Sequence, residues 1–151
     1  MNDRLVTALP DLSLFAGLLL ILLANRFMPW PQFGGLGVWF VGAVLVIGSL
    51  IIGTSVLLNL RRRRTSTSAG ETPSEFVTSG AFRFSRNPYY LASAGLLLGV
   101  ATLTGSLLAL LVPAGYVFLI NRFVIPVEER KLLAQFGADY EQYRGSVGRW
   151  L

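Results

Sequence analysis

From Tyr90 to Ile125 the chain is mostly apolar over thirty-six residues, broken by Thr102-Leu103-Thr104-Gly105-Ser106. A single helix of that length would run roughly 54 Å, too long for a hydrocarbon core about 30 Å thick. The passage therefore predicts two short membrane helices, 89–104 and 106–125, joined by a tight turn near Gly105, with Pro113 kinking the second. Gly95, Gly99 and Gly105 recur at a small-residue spacing that lets helices pack closely. Two further apolar runs precede the hairpin. One covers 12–28; the other covers 37–60 and ends at Arg61-Arg62-Arg63-Arg64, a stop-transfer and lipid-headgroup anchor. The first run resembles a signal peptide in length, but its basic flank is weak and no small-residue cleavage site follows, so it reads as a helix that stays. The turn at 28–35 brings Trp30 and Phe33, suited to an interfacial belt.

The expected fold is all-α and integral to the membrane: about four spans, a polar loop over 61–88 and an amphipathic cap over 126–151, forming one domain. Composition agrees. Of 151 residues, 53% are hydrophobic and 14% charged, where soluble domains carry about a quarter charged. There is no Cys and no His, which removes disulfides, thiolate nucleophiles and the commonest metal ligand and general base. No metal is expected, and chemistry must run on Glu, Asp, Arg, Tyr, Asn and the main chain. The net charge of +5 sits beside the apolar spans, as partners for anionic lipid; no soluble basic face suggests nucleic acid. With four spans, 12 of the 13 Lys and Arg residues share one face, Arg26 alone falling opposite. By the positive-inside rule that face, with both termini, is cytoplasmic. The inner membrane of a prokaryote is the expected location.

A hairpin returns the chain to the face it left, so the polar clusters that flank it should meet. The first is Arg86-Asn87-Pro88-Tyr89-Tyr90. Pro88 suits the first turn of a helix, whose free N–H groups beside an Arg can hold a carboxylate or phosphate, and the tyrosines offer faces for a base or a cation. The second begins at Glu128 and Glu129, which could accept a proton or attract a sulfonium or ammonium group. Pro126 suits the first turn there, and Leu132, Leu133, Phe136, Tyr140, Tyr143, Val147 and Trp150 form one apolar-aromatic stripe, broken near Gly137. Each cluster alone also fits an interfacial anchor.

The segment Gly80-Ala81-Phe82-Arg83-Phe84-Ser85-Arg86-Asn87-Pro88-Tyr89-Tyr90 resembles the Gly-x-(Phe/Tyr)-Arg-x-x-Arg-His-Pro-x-Tyr segment of the isoprenylcysteine carboxyl methyltransferase family. Glu128-Glu129-x-x-Leu132, followed by Phe136-Gly137-x-x-Tyr140-x-x-Tyr143-x-x-x-Val147-x-Arg149-Trp150, resembles the C-terminal signature that this family shares with phospholipid methyltransferases. The resemblance spans Gly80 to Leu151. It implies a membrane enzyme that uses S-adenosylmethionine without a Rossmann domain and methylates a lipophilic acceptor arriving from the bilayer, by closest likeness the carboxylate of an isoprenylcysteine. By the same resemblance Arg86, Asn87, Pro88, Tyr90, Glu128, Glu129, Tyr140 and Tyr143 would bind the cofactor. Glu129 would also act at the transfer centre, and Arg122 or Arg149 would orient the acceptor.

The chain departs from the pattern at Asn87, where the family carries His. Asn keeps a hydrogen bond but cannot titrate near neutrality, which favours an acceptor that needs no deprotonation. Phospholipid N-methylation and a non-catalytic membrane protein of the same fold are the rival readings. The four-span topology makes one direct prediction. Single cysteines at Ser68 and Ser146 should both label from the cytoplasmic side in spheroplasts, and labelling from opposite sides would break it.

Overall fold

In lipid every main-chain N–H must be satisfied within its own segment, which leaves helices as the economical answer to long apolar runs. The computed structural model describes residues 3–27, 33–63 and 76–151 and is helical throughout its ordered elements. Helix α1 covers Asp3–Phe27, α2 Leu36–Arg62 and α3 Pro88–Thr104. A short 3-10 turn at Leu108–Leu110 leads into α4, Leu111–Leu119. Five residues of π-helix, Ile120–Val124, join α4 to α5, Ile125–Ser146. Three stretches are long and apolar enough to cross a membrane: Ala8–Phe27, Leu36–Arg62 and the run Leu108–Ser146. Helix α3 is shorter, at the lower end of spanning length. Trp30 and residues 64–75 of the expected polar loop lie outside the described residues.

The closest packing lies between α2 and α3, which run antiparallel. A Cβ on Gly99 would sit 2.9 Å from the Val46 nitrogen and 3.0 Å from the Gly42 oxygen, and one on Gly42 would sit 2.8 Å from Leu103. Farther along, Gly95 faces Ser49 and Gly53 faces Ala92. Small residues recur at three- and four-residue spacing on α3 (Ala92, Gly95, Gly99) and at 42, 49 and 53 on α2, so the backbones approach where lipid supplies no hydrophobic force to drive them together. The other side of α3 packs on α1 and α4. There Val6, Ile21, Leu97, Ala101, Tyr116, Ile120 and Val124 form a core that is almost wholly buried. Outward-facing Phe15, Leu19, Trp39, Phe40, Ile47 and Ile51 stay exposed, an apolar band that only lipid would cover without aggregation.

The turn after α3 falls at Gly105, as the length of the apolar passage requires. Its φ of 67° is left-handed, and its N–H caps Thr102 O at 3.1 Å. Gly105 therefore serves the turn and not helix packing. A side chain there would also collide with the Phe33 carbonyl, and the Phe33 N–H donates to Gly105 O at 2.9 Å. Pro113 does not kink its helix. It lies in the first turn of α4, where the missing N–H has no intrahelical partner to lose.

Pro126 falls in the first turn of α5 as expected, yet no loop separates that helix from the span before it. A proline inside a continuous helix removes a donor and crowds the carbonyl four residues back, here that of Arg122. Widening to a π turn absorbs the misfit, with the Ile125 N–H bonding Ile120 O. The real break comes at Gly137, with φ 49° and ψ −121°. The helix stops at Ser146, so Arg149 and Trp150 belong to an extended tail and not to the helical stripe.

The α2–α3 seam predicts that Gly99→Ala lowers stability in detergent by about 1–3 kcal/mol, since main-chain atoms must move. Gly115→Ala is the control, because no heavy atom lies within 4 Å of its added Cβ. Equal thermal unfolding of the two variants would show that the seam is loose.

Candidate functional site

The loop that follows α2 is tied back to it. The Asn59 side chain donates to Ser79 O at 3.3 Å, and Arg63 reaches Ser79 Oγ at 3.0 Å. Gly80, with φ 66°, then opens a 3-10 turn, Gly80–Arg83. This delivers Ser85-Arg86-Asn87 to the start of α3, where Pro88 begins the helix and Asn87 is its N-cap residue without a side-chain cap.

The C-terminal tail lies across that segment. Arg86 N–H donates to Gly148 O at 3.0 Å, Asn87 Nδ2 to Arg149 O at 2.9 Å, and buried Ser85 Oγ to the same oxygen at 3.4 Å. The Ser85 hydroxyl also accepts the Asn87 N–H at 3.1 Å. Asn87, which stands where the related family has His, thus fastens the tail through a main-chain carbonyl.

Beneath the tail, Glu129 sits between two guanidinium groups. Arg149 approaches it in a bidentate pair, Nη2 to Oε2 at 2.6 Å and Nε to Oε1 at 3.2 Å. Arg86 Nη1 lies 3.1 Å from Oε1. The side chains of Arg86 and Glu129 are only 10% and 12% exposed. Buried Arg86 Nε has no hydrogen-bond partner, and Nη1 meets Glu129 as an ion pair without good hydrogen-bond geometry. Two cations around one anion leave a net positive charge, and a buried N–H without a partner costs free energy until an acceptor arrives. The cluster is an anion site with its own carboxylate attached.

Asn121, from the π turn, completes it by accepting from Arg149 Nη1 at 3.1 Å and from Trp150 Nε1 at 3.4 Å. Sequence reasoning missed Asn121 and Ser85. The signal for Asn121 was present, since an amide inside a long apolar run is rarely idle. Ser85 carried none.

An aromatic group closes one side. Phe76 stacks on Phe136 with ring centroids 5.2 Å apart, and meets Tyr140 and Tyr143 edge-on at 5.9 and 5.3 Å. The Tyr143 hydroxyl donates to Phe82 O at 2.6 Å, binding the last helix to the loop before α3. Burial pushes the Tyr143 phenol up to about 12, against the pull of the Arg86 guanidinium. Burial also raises that of Tyr140, with the Glu129 carboxylate adding to it. Both are neutral donors at any physiological pH.

Glu128 follows another path. Adjacent residues on a helix point about 100° apart, and Glu128 turns toward α3, accepting from Tyr90 Oη at 2.7 Å. The structure therefore brings Arg86, Asn87, Glu129, Tyr140, Tyr143 and Arg149 together, and pairs Tyr90 with Glu128 on the neighbouring face. Arg122 is not brought in. It is exposed, its guanidinium 5.6 Å from the Phe123 ring. Among the described residues no group of three or more His, Cys, Asp or Glu side chains could hold a metal.

The described helices thus form a bundle with an apolar outer band and carry a paired-charge site under a folded-back tail. Residues 38–139 match the phospholipid methyltransferase family, and the chain belongs to that family of integral membrane methyltransferases, which includes the isoprenylcysteine carboxyl methyltransferases. No curated protein and no solved structure matches it.

The raised Tyr143 value sets a pH dependence. In the unfolded chain the phenol loses its proton near pH 10, whereas the folded site holds it until about 12. Stability is complete below about pH 10 and falls as pH rises toward 12, because the unfolded state then binds fewer protons. Thermal unfolding in detergent across that range should show the fall, and Tyr143→Phe should flatten part of it. An unchanged slope would place Tyr143 outside the packed cap.

Proposed function

We propose that the chain transfers a methyl group from S-adenosylmethionine to an amphipathic, lipid-like acceptor drawn from the bilayer. The observation that carries this reading is Glu129 held between Arg86 and Arg149, with a buried guanidinium N–H left without a partner. An amino-acid moiety presents a carboxylate and an ammonium group side by side, and the cluster offers the complement of each. Arg86 would hold the carboxylate, and Glu129 the ammonium. Tyr140, Tyr143, Phe76 and Phe136 form an aromatic wall against which an adenine can pack. Asn87 and Ser85 would keep the tail closed over the site by their bonds to Arg149 O.

The bound cofactor supplies an activated methyl on a sulfonium centre, and the protein's task is alignment and exclusion of water. Arg149 and Trp150, both fixed on Asn121, would shield Glu129 from solvent. The resemblance names two acceptor classes, an isoprenylcysteine carboxylate and a phospholipid amine. A carboxylate is already a nucleophile; an amine must first lose a proton, which in a chain without His falls to Asp or Glu. The site would face the cytoplasm, where the basic residues gather.

Calorimetric titration of S-adenosylmethionine and S-adenosylhomocysteine into the detergent-purified chain tests the reading. Both should bind saturably, and Glu129→Gln should weaken them about tenfold or more, as loss of a charged hydrogen bond does. Absence of binding in wild-type protein shown to be folded would end the cofactor assignment.

A further inference from the structure

Glu129 supplies the negative charge of the cluster, and both of its oxygens are engaged. Arg149 covers them side-on, Nη2 on Oε2 at 2.6 Å and Nε on Oε1 at 3.2 Å, and Arg86 Nη1 lies 3.1 Å from Oε1. A carboxylate offers about four acceptor sites, so room alone does not exclude a further donor. Charge does. One anion already faces two guanidinium groups where the Glu129 side chain is 12% exposed and that of Arg86 10%. An ammonium group added there would be a third cation beside one anion, with little water to screen the repulsion. A cation that enters must therefore exchange with one already present.

The two arginines differ in how they are held. Arg86 is the more buried, stands just before α3 and has its main-chain N–H fixed on Gly148 O at 3.0 Å. Its Nε, buried and without a partner, is left to take an anion. The Arg149 side chain is 32% exposed and lies on the tail beyond the end of α5. It also has a second partner, because Nη1 donates to Asn121 Oδ1 at 3.1 Å. Trp150 Nε1 reaches the same oxygen at 3.4 Å, and Asn87 Nδ2 holds Arg149 O at 2.9 Å. None of these three bonds involves Glu129. The guanidinium can leave the carboxylate while the tail stays where it is.

We propose that Arg149 is a built-in counter-cation for Glu129, displaced from the carboxylate by the ammonium group of the cofactor. The exchange rests on the methyltransferase reading and names a regulation of that same site. The chain itself balances the carboxylate between turnovers, and the cofactor balances it during them. Arg86 keeps its place and takes the cofactor's carboxylate. Withdrawal of the Arg149 charge also eases the entry of a sulfonium. A ligand without an ammonium group leaves Arg149 on Glu129, so the cost of displacing the guanidinium falls only on ligands that carry one. Arg149 thus weakens the hold on the cofactor and spares the site a buried, unpaired carboxylate whenever the cofactor leaves.

The test uses S-adenosylhomocysteine and its deaminated analogue, which carries hydrogen in place of the ammonium group, titrated into the full detergent-purified chain. Two ligands and two proteins, wild type and Arg149→Gln, form a cycle in which a loosened tail affects both ligands alike and cancels. The preference for S-adenosylhomocysteine over its deaminated form should be about tenfold larger in Arg149→Gln than in wild type, the size of one charge-assisted contact. A rise of less than about threefold, or a fall, overturns the exchange, since Arg149 and the ammonium group would not then compete for Glu129. A measurement on wild type needs no variant to fold. The Arg149 Nε–H resonance should move on saturation with S-adenosylhomocysteine and stay in place with the deaminated form, and an equal response to both overturns the exchange. Either result leaves the methyltransferase reading intact. Failure of folded wild type to bind S-adenosylhomocysteine sinks that reading and the exchange with it.

Discussion

A carboxylate withdrawn from water at the end of an apolar bundle is expensive unless its partners are close and well aimed. Glu129 meets that demand with two arginines from opposite ends of the folded segment, Arg86 before α3 and Arg149 in the tail. The rest of the arrangement follows from satisfying this charge. Arg149 reaches Glu129 only if the tail runs back over residues 85–87, and there its main-chain carbonyl is held by Asn87 and Ser85. Trp150 is carried along to Asn121. The tail is held by a buried charge pair together with several ordinary hydrogen bonds, so its closure is coupled to the electrostatic state of the pocket beneath it.

Much of this was legible in the sequence because the constraints behind it are coarse. The passage from Tyr90 to Ile125 had to fold back, since no bilayer could accommodate it as one helix, and Gly105 was the residue able to take a left-handed turn. Basic and acidic clusters on either side then had to meet. What stayed hidden depended on fine geometry. Whether Pro126 starts a new helix or is absorbed by an existing one turns on five residues of π-helix, and local spacing is the same in both cases. The adjacent glutamates looked interchangeable, yet the helix sends Glu128 to Tyr90 and Glu129 to the arginines. Arg122, which shared with Arg149 the expected task of orienting the acceptor, lies against Phe123 instead. Pro113 looked like a kink because the start of α4 could not be located to within one turn.

The close approach of α2 and α3 serves the site indirectly. Glycines at 42, 95 and 99 bring the two backbones together, and the same pairing brings the end of α2, with Asn59, beside the loop that delivers Arg86. A bundle packed through small residues has few large side chains to adjust on that seam, so the loop inherits a fixed platform. The opposite flank of α3 carries the bulky core with α1 and α4, and on that flank Tyr89 donates to Asp11. One helix thus separates a rigid seam from a bulky core.

The π turn at Ile120–Val124 holds one more residue than the same rise of α-helix would need. Everything beyond it is rotated by that surplus, roughly 100°. Helical phase, more than side-chain identity, decides which glutamate meets the arginines and which meets Tyr90. Tightening this turn to α-helix without removing a residue would leave every motif intact to a sequence comparison while turning both carboxylates away from their present partners. The chemistry at the end of α5 is therefore encoded partly as an angle, and point substitution at the glutamates could not restore it.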